Sequence, residues 1–314
     1  MTTARKNGAV AAVDIGTNSV KMTVAARGEA RLRVLLDTTR ITRLGKNVDA
    51  AGRLDPEAVR RTLDVLAEFA RLAREHGAAH IAAVGTSALR DAENGPDFVA
   101  QAAQTLGGTV EVISGDREAH LVYTAAKGDP DLALPRDVPL AVVDIGGGST
   151  EFVLGNGDAI TFRDSLQLGA VRLTERALPS DPPTKDELAA ARRLADKALA
   201  AIPVPDTPPT LVGSGGTIAN LAGMERGAPT FDPQALHGMS LTRTKIEARI
   251  AALAALPVAD RRTIPGLEPD RADVILAGAL IQARAMERLG ADTVLTSLRG
   301  LRYGLLYELA AEED

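Results

Sequence analysis

The sequence contains no cysteine and no tryptophan, and only three tyrosines and five phenylalanines in 314 residues. Without cysteine there can be no disulfide, no thiolate nucleophile and no Cys-ligated zinc. So few rings leave few platforms on which bases could stack. A basic excess is also missing: 36 Lys and Arg stand against 41 Asp and Glu, a formal net charge of −5. A nucleic-acid binder or a ligand of acidic membranes is therefore not expected. No uninterrupted apolar run approaches a membrane span, and the first residues lead into a short apolar strand without a signal-peptide core. The expectation is a soluble, cytoplasmic protein with no membrane partner.

Hydrophobic residues make up 45% of the chain, enough for globular cores, and the length suggests about two domains. The most demanding stretch is 142–151. An apolar run ends in Asp144-Ile145, three glycines (Gly146, Gly147, Gly148), Ser149, Thr150 and Glu151. Glycines let backbone N–H groups converge on an anion where a Cβ would collide. Asp144 and Glu151 are hard oxygen donors of the kind Mg²⁺ takes when it also holds phosphate. A phosphate cradle with a metal is one reading, and a tight glycine hairpin without a ligand is the other.

The same pattern opens the chain. Val13-Asp14-Ile15-Gly16-Thr17-Asn18-Ser19-Val20 recurs as Val143-Asp144-Ile145-Gly146-Gly147-Gly148-Ser149-Thr150, and both copies continue as strands. Each reads as a strand, a turn and a second strand, unlike a P-loop or Rossmann turn, which opens into a helix. Asp55-Pro56-Glu57 starts a helix with Asp as N-cap, and Val59, Leu63, Leu66, Ala70 and Ala73 lay down one apolar face. A strand at 81–85 runs into Thr86-Ser87-Ala88-Leu89-Arg90, and Ser114-Gly115-Asp116 opens a helix with Glu118 in its first turn. Three prolines in 129–139 read as a linker. Thr184 to Glu187 forms a capping box. Gly213-Ser214-Gly215-Gly216-Thr217 is a third glycine-rich turn after a strand, with a helix expected from Ile218 and a buried helix over 270–289. Two copies of one domain plan are expected: 1–128, then 129–298.

Together these three glycine turns resemble the phosphate and nucleoside motifs of the actin, sugar-kinase and heat-shock ATPase superfamily. Within it, the run from Thr86 to Arg90, the Ile113-Ser114-Gly115 turn followed by Glu118-Ala119, and the run from Asp144 to Glu151 are similar to the exopolyphosphatase / guanosine pentaphosphate phosphohydrolase (Ppx/GppA) family, in its short two-domain form. The chain departs from the family pattern at His120, where an arginine is usual, and at Tyr303, where a glutamate is usual.

The resemblance implies an α/β fold of two duplicated actin-like (ribonuclease H-like) domains with mixed sheets and an interdomain cleft, and it suggests that the C-terminal helix of 299–314 packs back on the first domain. It implies Mg²⁺ or Mn²⁺ held by Asp144 and Glu151 with help from Asp14. Phosphate would be bound by Gly16, Thr17, Asn18, Ser19, Gly146, Gly147, Gly148, Ser149 and Thr150, and by Gly213, Ser214, Gly215, Gly216 and Thr217. Arg90 would pair with phosphate oxygens and Glu118 would be the general base on water. The bland alternatives are a helix-dipole glutamate for Glu118 and a surface arginine for Arg90. The expected activity is hydrolysis of the terminal phosphate of inorganic polyphosphate by a homodimer. The alternatives are hydrolysis of guanosine pentaphosphate and a non-catalytic binding regulator. Further cations for a long polyanion are sought at Arg40, Arg43, Lys46, Arg163, Arg172, Lys245 and Arg249.

Overall fold

The computed structural model describes residues 8–28, 32–135, 138–157, 159–228 and 235–312. They form two α/β units: Met1–Ser114 with Leu301–Asp314, and Gly115–Gly300. In the first, strands β1 (Ala9–Ile15), β2 (Ser19–Arg27), β3 (Leu32–Ile41), β4 (Ala78–Gly85) and β5 (Thr109–Val112) make one sheet in the order β3-β2-β1-β4-β5. The meander β1-β2-β3 is antiparallel, whereas β1, β4 and β5 run parallel.

The second unit holds β6 (Leu140–Ile145), β7 (Thr150–Asn156), β8 (Ala159–Leu166), β9 (Thr210–Ser214), β10 (Ser240–Thr242) and β11 (Thr293–Thr296) in the order β10-β11-β9-β6-β7-β8. Its strands β8-β7-β6-β9-β11 repeat the first sheet's plan, and β10 is an added edge. This is the duplicated α/β fold with mixed sheets that the repeated motif predicts. Both central strands, β1 and β6, are flanked on each side and buried almost throughout, which is why they read as unbroken apolar runs rather than as alternation.

Each unit has its own core. In the first, the helix Pro56–Glu75 buries Leu66, Phe69, Ala70 and Ala73 on the face its spacing predicts. The Asp55 side chain caps it, accepting from the Glu57 and Ala58 N–H groups at 3.0 Å. The helix Leu301–Glu312 packs on β1 and β2 of this unit. It is pinned there by Asp37 of β3, which accepts from Arg302 at 2.9 Å and from the Tyr303 hydroxyl at 3.0 Å.

In the second unit the helix Ile275–Arg288 is buried on nearly all sides, from Ile275 through Met286. It starts five residues later than the apolar run suggests, because Pro269–Arg271 folds as a separate short turn. The capping box is present on Lys185–Leu199, with Thr184 and Glu187 bonded reciprocally.

Two boundaries differ from the sequence reading. The helix Gly115–Lys127 belongs to the second unit, where it packs on β6, β7 and β8. The proline-containing stretch that follows is no loose linker either. Asp129 is buried, 3.2 Å from His237 Nε2 and bonded to Arg299, all within the same unit. Residues 136 and 137 of that stretch lie outside the described residues.

Candidate active site

In the first unit the β1–β2 hairpin closes when the Gly16 N–H donates to the Ser19 carbonyl at 3.1 Å. The turn's other carbonyls are tethered by the 42–45 loop. Thr42 and Arg43 N–H groups both donate to the Asn18 carbonyl (3.1 and 2.9 Å), and the Gly45 N–H donates to that of Thr17 at 2.8 Å. A peptide unit is planar and trans, so a carbonyl held on one side sends the following N–H to the other. The Asn18 amide is therefore turned outward from the tether. Asn18 Nδ2 is buried and meets no acceptor, a donor that a phosphate oxygen would satisfy. The loop fits tightly: a Cβ on Gly45 would lie 2.4 Å from Thr17 Cγ2 and 2.8 Å from Ala88 Cβ. Arg43 is held at φ +53°, unusual for a side-chain-bearing residue.

Asp14 is the cross-strand neighbour of Lys21, whose Nζ lies 3.5 Å from Asp14 Oδ2. The expected metal ligand of this unit thus already has a cation. Lys21 was not singled out from the sequence, although it lies seven residues beyond Asp14, the same interval that separates Asp144 from Glu151. The turn carrying Arg90 joins the end of β1, because the Thr86 N–H donates to the Ile15 carbonyl at 3.3 Å. Arg90 itself sits on the short helix Ser87–Asp91, with Nη1 on the Ile113 carbonyl at 2.9 Å.

In the second unit the hairpin repeats bond for bond: the Gly146 N–H donates to the Ser149 carbonyl at 3.0 Å. Here the tether is the start of the helix Ala170–Ala177. Ala170 N–H binds the Gly146 carbonyl (2.9 Å), and the Val171 and Arg172 N–H groups bind that of Gly147 (2.9 and 3.1 Å). Arg172 Nε binds the Gly148 carbonyl at 2.7 Å. With three successive carbonyls fixed, the N–H groups of Gly147, Gly148 and Ser149 are directed to the opposite side, which is the arrangement of an anion-binding nest.

Beside this turn a polar row crosses four strands. Ser214 of β9, Asp144 of β6, Glu151 of β7 and Ser165 of β8 are successive register partners. Glu151 Oε1 accepts from Ser165 Oγ at 2.8 Å. Glu118, from the first turn of the helix Gly115–Lys127, is close enough for its charge to act on Glu151. The three carboxylates are 9%, 2% and 7% exposed for Asp144, Glu151 and Glu118.

Burial pushes the Glu151 carboxyl well above its ordinary value. The charges of Glu118 and then Asp144 push it further, and hydrogen bonds from Ser165 and Ser149 act against them. Such a cluster calls for a proton or a cation. Among the described residues no three His, Cys, Asp or Glu converge as a ready-made metal cage. The hard oxygens of Asp144 and Glu151 are of the kind Mg²⁺ takes when waters and substrate phosphate complete its shell. Asp144 also has room: a Cβ on Gly215 would lie 2.5 Å from its Oδ1, and one on Gly300 would lie 3.1 Å from its Oδ2.

Other expected site residues are placed differently. Thr150 is fully buried, with its hydroxyl donated to the Leu168 carbonyl, so that donor is committed to the fold. In the third glycine turn the helix starts at Gly215 rather than Ile218. The Arg271 guanidinium lies over Gly216, where a Cβ would be 2.2 Å from its Nη1, and it is fixed by Glu268 at 2.7 Å. Glu268 is itself bound by Asn220 at 2.9 Å. Thr217 packs against Gly278. Arg271 gave no signal in the sequence, since it sits in a loop 55 residues beyond Gly216.

Most of the supplementary cations are spoken for. Arg40 pairs with Glu68, Arg163 with Asp116 and Lys245 with Glu225, while Arg249 binds the Met224 carbonyl.

Two sheets on one plan, each closing its first hairpin on a turn with tethered carbonyls, define a duplicated α/β fold. Comparison with known families makes this specific, since a family model described as the Ppx/GppA phosphatase family matches residues 23–313. The chain belongs to the Ppx/GppA phosphatase family. It is 38% identical to exopolyphosphatase 2 of Mycobacterium tuberculosis, covering 96% of this chain and 98% of that one. To exopolyphosphatase 1 of Mycobacterium bovis it is 30% identical, over 96% of this chain and 88% of the relative. Among solved structures, the Aquifex aeolicus member of the family superposes with a TM-score of 0.81 at 35% identity, covering 98% and 99% of the two chains.

Proposed function

We propose that the protein is an exopolyphosphatase that hydrolyses the terminal phosphoanhydride of inorganic polyphosphate with a divalent cation. The observation that carries the reading is the buried group Glu118, Glu151 and Asp144 standing beside a turn whose amides are fixed outward. Full-length similarity to proteins named exopolyphosphatase supports the choice of substrate.

Hydrolysis of a polyanion needs neutralised charge, an oriented water and a proton acceptor. The N–H groups of Gly147, Gly148 and Ser149 hold the oxygens of the terminal phosphate. Glu118 accepts the proton of the attacking water as the new O–P bond forms and the bridging P–O bond breaks. The shortened chain then leaves on its own phosphate oxygen. Mg²⁺ or Mn²⁺ on Asp144 and Glu151 would neutralise the phosphate oxygens as charge builds on them. Within the first unit the Asn18 amide groups, Thr17, Ser19, Lys21 and Arg90 are anion-favouring groups, and Asp14 already has Lys21 as its cation. A cytoplasmic homodimer accompanies this reading on family resemblance alone.

The test is phosphate release in Mg²⁺ from long-chain polyphosphate and, separately, from guanosine pentaphosphate. A larger kcat/KM for polyphosphate is expected. A preference for the nucleotide would move the assignment to the other branch of the family, and tight binding without release would make the protein a regulator.

A further inference from the structure

Ser165 lies on β8, outside every motif that the sequence brings to attention. It touches two elements of the acid cluster at once. Its Oγ donates to Glu151 Oε1 at 2.8 Å, from the adjacent position across the β7–β8 ladder. Its other neighbour is the first residue of the helix that carries Glu118. A Cβ built on Gly115 would lie 2.4 Å from Ser165 Cβ and 2.8 Å from its Oγ. The helix Gly115–Lys127 can start where it does only because residue 115 has no side chain and residue 165 has a small one. Glu118 is three residues further along, in the same first turn.

We infer that Ser165 is a positioning residue that sets the spacing and orientation of Glu118 relative to Glu151. The Ser165 hydroxyl holds Glu151 Oε1, and the same side chain is the surface against which the Glu118 helix is seated. Ser149 of the β6–β7 hairpin also bonds Glu151, but of the two serines only Ser165 also abuts the start of the helix that carries Glu118. The hydroxyl opposes the rotation of Glu151 and the steric contact fixes the approach of Glu118. Partners that orient a metal-binding carboxylate typically change affinity or activity by about 10–100-fold when removed. The inference rests on the proposed roles of Glu118 and Glu151 in hydrolysis, but the geometry it describes does not depend on the substrate.

The test uses the full chain and four variants: Ser165→Ala, Ser165→Gly, Gly115→Ala and the double variant Gly115→Ala/Ser165→Gly. Mn²⁺ binding is read by electron paramagnetic resonance, and kcat and KM are measured on polyphosphate. Thermal melting confirms that each variant is folded. Ser165→Ala is expected to weaken Mn²⁺ binding and lower kcat by about 10–100-fold each, with KM changed by less than about threefold. Gly115→Ala is expected to lower kcat while leaving Mn²⁺ binding near normal. In the double variant the space vacated at 165 accepts the new methyl, so kcat should be no lower than for Ser165→Gly alone. Unchanged Mn²⁺ affinity and kcat in Ser165→Ala would overturn the inference, as would losses at 115 and 165 that simply multiply. If the wild-type chain releases no phosphate yet Ser165→Ala weakens Mn²⁺ binding, the positioning role stands and the assigned reaction falls.

Discussion

Lys21 stands in the first sheet where Glu151 stands in the second: each is the cross-strand partner of the next-to-last residue of the hairpin's first strand, Asp14 or Asp144. The two hairpins share their closing bond and their tethered carbonyls and differ in the charge opposite that aspartate. In the first the aspartate meets an ammonium at 3.5 Å. In the second it meets another carboxylate, with Glu118 adding a third. The duplicated frame thus separates into a copy whose aspartate is already paired with a cation and a copy whose aspartate stands among carboxylates.

This difference predicts unequal roles for the two aspartates. Asp144→Asn is expected to raise the Mg²⁺ concentration required for half-maximal activity by at least about tenfold. Asp14→Asn should leave that requirement within about threefold of normal, because Lys21 already neutralises Asp14. A Mg²⁺ titration of the two variants checks this, and equal shifts would show that both units hold the metal.

Glu118→Gln keeps the shape and removes the proton acceptor. A loss in kcat of about 10²–10⁴ is expected, with Mn²⁺ affinity retained. Turnover near normal would take Glu118 out of the reaction.

Glu151 makes metal-free stability depend on pH. Its folded pKa is raised, above all by burial, so the folded state binds this proton more tightly than the unfolded chain does. Stability is then greatest below the ordinary glutamate value and falls as pH rises from there through the raised folded value. Melting of the metal-free protein across that range should show a decline that Glu151→Gln flattens and saturating Mg²⁺ opposes.

Gly45→Ala places a methyl within 2.4 Å of Thr17 and 2.8 Å of Ala88. The loop or the turn must shift, at a cost of about 1–3 kcal/mol, and the tether on the Thr17 and Asn18 carbonyls loosens. KM for polyphosphate should rise several-fold, and an unchanged KM would show that this turn does not bind substrate.

Tyr303 has a structural partner in Asp37, which accepts from its hydroxyl at 3.0 Å. Tyr303→Phe should cost about 1 kcal/mol of stability, seen as a lower denaturation midpoint, with kcat unaffected.

The hairpins, the main helices and the duplicated plan were legible because they rest on local signals: apolar runs, Asp55 as a cap, the 184–187 box and the repeated Asp-Ile-Gly. Asp144 and Glu151 stand out in the sequence as acids flanking the glycine turn, whereas only the family resemblance joins Glu118 to them, because residue types and spacing do not show that the three carboxylates meet. The cluster arises from β-sheet register and from a helix seated on β8, neither of which has a period in the sequence. Ser165 and Arg271 escaped notice for the same reason, since each acts on a residue distant in sequence. The reading of 129–139 as a linker failed because proline content does not reveal that Asp129 is buried under Arg299 and His237. Thr150 follows residues that form the turn, whereas its own hydroxyl is donated to the Leu168 carbonyl, a partner 18 residues away that sequence proximity does not reveal.

The helix Leu301–Glu312 packs on β1 and β2, so the first unit is assembled from the two ends of the described chain, whereas the second is one continuous segment. During synthesis the second unit has all its strands and helices once residue 300 has emerged, and the first waits for its last helix. The Asp37 contacts to Arg302 and Tyr303 can form only after that helix has emerged. Until then β1 and β2 expose the apolar surface that this helix covers, and transiently exposed apolar surface invites misassociation.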